Sequence, residues 1–166
     1  YVEKYFPAQA KAQMVELIGY LKKSFEQHIN NLSWMSATTK EKALTKLNKF
    51  AVKVAYPDKW KDYSKLTIAS EKEGGTLYKN LQNITAWQYK RDLDKIGKAV
   101  DKSEWGMTPQ TYNAYYNPSN NEIVLPAGIF AVPGYRDEEL DDALVYGYAA
   151  ASTIGHEITH GFDDQG

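Results

Sequence analysis

Five residues near the end of the chain, His156-Glu157-Ile158-Thr159-His160, constrain what it can fold into more than any other feature. On an α-helix, residues four apart are separated by about 400°, so their side chains leave one face a turn apart. That is the geometry that lets His156 and His160 aim at one point. Glu157, rotated by about 100° from His156, lies beside that point rather than on it. The surrounding sequence agrees with a helix. From about Glu138 to Phe162 it is dense in small and apolar residues, with Ala143, Leu144, Val145, Ala149, Ala150, Ala151 and Ile154. A helix apolar on most sides is expected to be buried. Three ionisable residues are costly in such a place unless they have partners. Gly155 and Gly161 flank the motif, and a glycine inside a helix costs roughly 1 kcal/mol. Close approach of another backbone is therefore expected at these glycines, or a helix end at Gly161.

The residue types indicate a chemistry. Two imidazoles a turn apart can share a zinc ion through bonds of about 2.0–2.1 Å. A carboxylate beside the open position can take a proton from a water made acidic by the metal. His156 and His160 are thus candidate metal ligands and Glu157 a candidate general base. The chain has no cysteine, so thiolate ligation and disulfides are excluded. Spacing narrows the class. Metzincins need Gly three residues and His six residues after the second histidine. Asp163 and Gly166 occupy those positions, which excludes that class. Two histidines with a Glu from a later helix remain, and the chain ends before such a helix. Asp163 and Asp164 are candidates to accept a hydrogen bond from the outer nitrogen of a ligand histidine. A solvated helix end is the other reading of the two. His28 lies among polar residues of the first helix and reads as a surface histidine.

The rest of the chain reads as mainly helical. Met14, Leu17, Ile18, Leu21, Phe25 and Ile29 form one apolar face, with Pro7 near its start. A second helix is expected after Thr38. Thr38 and Glu41 have capping-box spacing, and Leu44, Leu47 and Phe50 form the stripe. Tyr56-Pro57-Asp58 interrupts the pattern. Gly74-Gly75 punctuates it again. A long third helix is expected beyond, with Leu77, Leu81, Ile84, Leu93, Ile96 and Val100 on its apolar side. Its charged residues Lys90, Arg91, Asp92 and Lys95 read as a solvated face. Tyr112 to Tyr116, the turn cluster Asn117 to Asn121, and Glu122-Ile123-Val124-Leu125 predict two short antiparallel strands around a turn. The fold class is therefore α+β, mainly α with a short antiparallel hairpin. Twenty basic and twenty-one acidic residues leave a net charge of −1, which supplies no attraction for nucleic acid or an anionic membrane. No apolar run approaches the roughly 18 residues of a spanning helix.

Ile154 to Gly166 closely resembles the active-site segment of the neprilysin family of zinc endopeptidases, which includes the endothelin-converting enzymes and bacterial oligopeptidase O. Val100-Asp101-Lys102-Ser103-Glu104-Trp105, Asn113-Ala114-Tyr115-Tyr116-Asn117-Pro118 and Asn121 to Ile129 are similar to it in the same order. Leu32-Ser33-Trp34-Met35 and Ala55-Tyr56-Pro57-Asp58 fit as well. The resemblance implies a gluzincin that cleaves oligopeptides with one Zn2+ per intact site. It implies a thermolysin-like catalytic domain and a second, helical domain. His156 and His160 would bind zinc and Glu157 would act as base. Asn113 and Ala114 would hydrogen-bond the substrate main chain. Residues 1–74 would end the helical domain and residues 75–166 would begin the catalytic one. The family's third ligand is a Glu in a downstream motif, which places it beyond residue 166. The fragment alone is accordingly expected to be inactive, and to self-associate through apolar surface that the missing half would cover. Absence of cysteine suggests a bacterial member, cytoplasmic or exported. The rival reading is a non-catalytic helical module that binds zinc or a partner.

Overall fold

The computed structural model describes residues 1–132, 134, 135, 139, 141, 143, 144, 147 and 151–163. It divides into two compact units, residues 1–57 with 105–166, and residues 58–104. The first unit holds the helices α1 (Val2–Tyr5), α2 (Ala8–Asn31) and α3 (Ala37–Asn48), followed by strand β1 (Ala51–Ala55). The second holds α4 (Leu77–Leu93). Strands β2 (Tyr115–Asn117) and β3 (Glu122–Pro126) and helix α5 (Ser152–His160) complete the first unit. The mainly helical α+β class expected from the sequence is what the structure shows. Among the described residues, no helix is long and apolar enough to cross a membrane.

The periodic apolar face of the first helix does what its spacing predicts. Ala10, Met14, Ile18 and Ile29 of α2 are buried, with Leu17, Leu21 and Phe25 packed at the margin. Pro7 is the N-cap of α2, where a missing N–H costs nothing. The second helix starts earlier than predicted. Ser36 is the N-cap of α3 and its Oγ accepts from the Thr39 backbone N–H at 3.2 Å. Thr38 and Glu41 have the spacing of a cap, but Ser36, two residues earlier, takes the orphan amide first.

The predicted hairpin is present, with β2 antiparallel to β3. A third strand was not expected. β1 runs parallel to β3, with Ala51 opposite Glu122 and Ala55 opposite Pro126, so the strand order is β1-β3-β2. β3 is therefore central and buried along its whole length, as a strand covered on both faces should be. Asn121 sets the register. Its φ is +48°, a left-handed conformation that asparagine tolerates better than most residues. Its carbonyl accepts from the Ala51 N–H at 2.9 Å, its Nδ2 donates to the Lys46 carbonyl at 3.1 Å, and its Oδ1 accepts from the Tyr116 hydroxyl at 3.1 Å. One turn residue thus connects α3, β1 and β2. Glu122 is buried at the start of β3, and Lys53 of β1 brings its ammonium to 2.9 Å from Oε2. That ion contact compensates a carboxylate that burial alone would penalise.

The unit of residues 58–104 is built around α4. Gly74, at φ +78°, turns the chain into Thr76, whose Oγ1 caps α4 by accepting from the Lys79 N–H at 3.1 Å. Asn80 pairs with the Ala69 backbone in both directions, at 2.8 and 3.1 Å. Tyr63 stacks on Trp87 with ring centroids 5.2 Å apart. One expectation fails here and another gains detail. The helix ends at Leu93 rather than running on to Val100, because successive turns at 95, 96 and 98 and Gly97 at φ +76° replace it. The charged run is solvated as expected, with Lys90, Asp92 and Lys95 exposed, and it is also paired: Arg91 and Lys95 both bind Glu104, and Lys95 meets Asp92. The apolar side of α4 is exposed at Leu77, Leu81, Ile84 and Leu93.

Candidate metal centre

α5 is amphipathic in a way that sorts its side chains by function. Ile154 and Ile158, one turn apart, are fully buried, worth about 1.5–3 kcal/mol each by hydrophobic burial. They seat the helix against β2, β3 and α2. His156 and His160 fall roughly 160° further round the helix, toward the open side. Glu157 lies between the two faces and is only 6% exposed. Within the predicted segment Ala143, Leu144, Gly147 and Ala151 have π-helical backbone and Ser152–His160 form α5. Ala143 and Leu144, expected to be buried, are exposed, and Val145, Ala149 and Ala150 lie outside the described residues.

The two imidazoles converge. His156 Nε2 and His160 Nε2 stand 3.0 Å apart, with the rings nearly perpendicular at 84°. Asp163 Oδ2 lies 2.8 Å from His160 Nδ1. A proton on Nδ1 donated to this carboxylate leaves the Nε2 lone pair of His160 directed at the point it shares with His156. The hydrogen bond to Asp163 also holds the His160 imidazole above its ordinary titration range. Burial pushes the Glu157 carboxyl up, while His156, His160 and a hydrogen bond from the Tyr116 backbone N–H pull against it. The donor set fits zinc, because zinc–nitrogen bonds of about 2.0–2.1 Å can bridge the gap between the two Nε2 atoms. Among the described residues, no group of three or more His, Cys, Asp or Glu side chains could hold a metal ion.

The sequence-predicted residues are brought together unequally. His156, Glu157, His160 and Asp163 form one cluster; Asp164 lies outside the described residues. Ala114 is buried and Asn113 exposed, just ahead of β2, and Asn113 Oδ1 accepts the Ala114 N–H at 2.8 Å. β2 is an edge strand. His28 is exposed on α2, as expected. Of the alternatives expected at the glycines, the helix end is met, since Gly161 is the C-cap of α5. A Cβ there would lie 2.4 Å from Phe50 Cζ, so the crowding comes from a side chain and not from a backbone. At Gly155 a Cβ would meet nothing within 4 Å. The Tyr116 N–H was not predictable as a partner of Glu157, because a backbone group carries no residue-type signal.

Residues 1–57 and residues 113–166 each match a model of peptidase family M13, together covering two-thirds of the chain. The chain belongs to peptidase family M13. M13-type relatives align along its whole length. The zinc metalloprotease Zmp1 of Mycobacterium tuberculosis, in complex with an inhibitor, is 48% identical, with a TM-score of 0.85 over 100% of this chain and 24% of that one. PepO of Lactobacillus rhamnosis HN001 is 32% identical, with a TM-score of 0.86 over 100% of this chain and 26% of that one. The neutral endopeptidase of Lactobacillus helveticus is 38% identical over 100% of this chain and 25% of its own length. The chain thus spans about a quarter of the M13 proteins it matches.

Proposed function

We propose that the chain is part of a bacterial zinc metallopeptidase that hydrolyses oligopeptides. The observation that carries this reading is the convergence of His156 Nε2 and His160 Nε2 at 3.0 Å beside a buried Glu157. On this reading His156 and His160 hold zinc, and Asp163 keeps His160 in the ligating tautomer. Bound zinc would supply Lewis acidity to water and to the scissile carbonyl. Glu157 accepts the proton of the attacking water and returns it to the leaving amine. Its burial and the Tyr116 N–H favour that role, the first by raising proton affinity, the second by fixing the carboxylate's position. Asn113 and Ala114, next to an edge strand, would offer backbone and amide groups to an extended peptide. The family's third ligand, a Glu, would be supplied beyond residue 166. Residues 1–74 would close the helical domain and residues 75–166 open the catalytic one; the two family matches fall on opposite sides of that boundary. A chain without cysteine and 48% identical to a mycobacterial protein supports a bacterial source.

A second reading is favoured by one observation. Among the described residues no group of three His, Cys, Asp or Glu side chains could hold a metal ion; on this reading the 166-residue chain by itself would be a weak zinc-binding helical module without turnover. The two readings are separated by a peptidase assay with added zinc, on the chain and on a longer protein that contains it. The chain should show no turnover. The longer protein should lose activity by about 10²–10⁴-fold on Glu157→Gln. Turnover by the chain alone that Glu157→Gln abolishes would overturn the incomplete-site reading. A longer protein indifferent to Glu157→Gln would overturn the assignment of the base.

A further inference from the structure

The end of α5 is held by aromatic rings from distant parts of the chain. Phe162 stacks on Phe50 with centroids 5.9 Å apart and planes 12° apart, and on Phe25 of α2 at 6.3 Å and 27°. Phe50 in turn stacks on Tyr116 of β2 at 5.5 Å and 28°. Phe50 is only 6% exposed, and its ring edge occupies the space that a side chain at Gly161 would need. Gly161 has φ −70° and ψ −10°, a conformation any residue adopts. Glycine is thus required there by the Phe50 ring and not by the backbone. The next residue, Phe162, is clamped, and the one after it, Asp163, reaches back to His160.

We infer that Phe50 is a positioning residue for the metal centre: seated against Gly161, it fixes Phe162 and thereby holds Asp163 on His160 Nδ1. The proposal rests on the reading of His160 as a ligand only for its consequence on metal affinity. The chain of contacts stands without it. A ring at the end of α3 and a helix end on α5 belong to the two separately matched family segments. The metal helix is therefore braced by the segment that supplies no ligand. Carboxylates behind ligand histidines usually matter about 10–100-fold in metal affinity. A residue that sets the carboxylate should act through the same quantity.

The test is imidazole ¹⁵N NMR of the metal-free chain, at a pH where His160 is neutral, together with zinc titration calorimetry. The wild type should show a single His160 tautomer with its proton on Nδ1. Phe50→Leu and Gly161→Ala should each give a tautomer mixture and raise the zinc Kd about tenfold. The double variant should be no worse than the singles combined would predict, because both act on one contact. Phe6→Leu, which alters a comparably buried ring packed at a tilt against Phe130, controls for general destabilisation and should leave the tautomer unchanged. If Phe50→Leu does not fold, Gly161→Ala decides. A folded Gly161→Ala variant with wild-type tautomer overturns the inference. Zinc binding indifferent to His156→Ala and His160→Ala would overturn the metal reading instead, and the tautomer shift would still uphold the role of Phe50.

Discussion

Glu104 binds two cations, one from the last turn of α4 and one from the turn that follows it. Lys95 Nζ lies 2.8 Å from Oε2, and Arg91 bonds the other oxygen. The hydrogen bond from Lys95 holds the Glu104 carboxyl below the ordinary glutamate range, against the burial that raises it, and Arg91 adds to the lowering. A depressed carboxylate contributes stability that is fully present above its unfolded value and is lost as pH falls through the lowered one. Lys95 is raised by the same hydrogen bond, so at alkaline pH the contribution persists until the raised lysine titrates. Because these groups are partly exposed, the effect on stability should be about 1 kcal/mol or less. Hydrogen exchange of the α4 C-terminal amides, followed from neutral to acid pH, should show protection falling below the ordinary glutamate range. In Glu104→Gln that acid dependence should flatten; an unchanged profile would remove Glu104 from the account. The charges Lys90 to Lys95 were legible in the sequence as a helix face. Their partner was not, because Glu104 lies past the helix end, where no i, i+4 rule reaches.

At the scale of elements, local signals located helices better than their ends. Thr38 and Glu41 predicted the start of α3, yet Ser36 makes the capping bond. Ser36→Ala should therefore lower thermal stability by about 1 kcal/mol, and Thr38→Ala by a few tenths at most. Thermal unfolding of the two variants side by side checks this, and equal losses would mean that the cap is misplaced. The strands divide in the same way. The hairpin of β2 and β3 was readable because its turn residues, Asn117 to Asn121, lie between the two strands. β1 was not, although Ala51-Val52-Lys53-Val54-Ala55 carries two β-branched valines. A strand's identity is completed by its partner, and the partner of β1 is far along the chain. The apolar stripe of α4 was legible as a stripe, but periodicity does not say whether anything covers it. In this chain Leu77, Leu81, Ile84 and Leu93 are exposed.

For the whole molecule, that exposed stripe has a consequence. Leu77, Leu81 and Ile84 are exposed and share one face of α4, and an apolar strip in water favours association, since burying it against a second copy removes it from solvent. Sedimentation velocity over a concentration series should show a reversible dimer, weakened by Leu77→Lys with Leu81→Lys. A strict monomer at every concentration would contradict this. The sheet carries the larger lesson. The parallel ladder of β1 and β3 joins the segment of residues 1–57 to that of residues 113–166 in register. Asn121, Lys53 with Glu122, and Phe50 with Phe162 reinforce the same junction.

Local pattern was enough to locate α2, α3 and α4, the hairpin, and the approach of His156 and His160 with Glu157 beside them. Each is written within a few residues, where the geometry of one helical turn or one tight turn decides which side chains meet. Long-range packing brings β1 into the sheet, Arg91 and Lys95 to Glu104, the Tyr116 N–H to Glu157, and the Phe50 ring into the niche at Gly161. Those contacts join residues distant in sequence. Their free energy depends on both surfaces at once, so neither partner's local pattern records it.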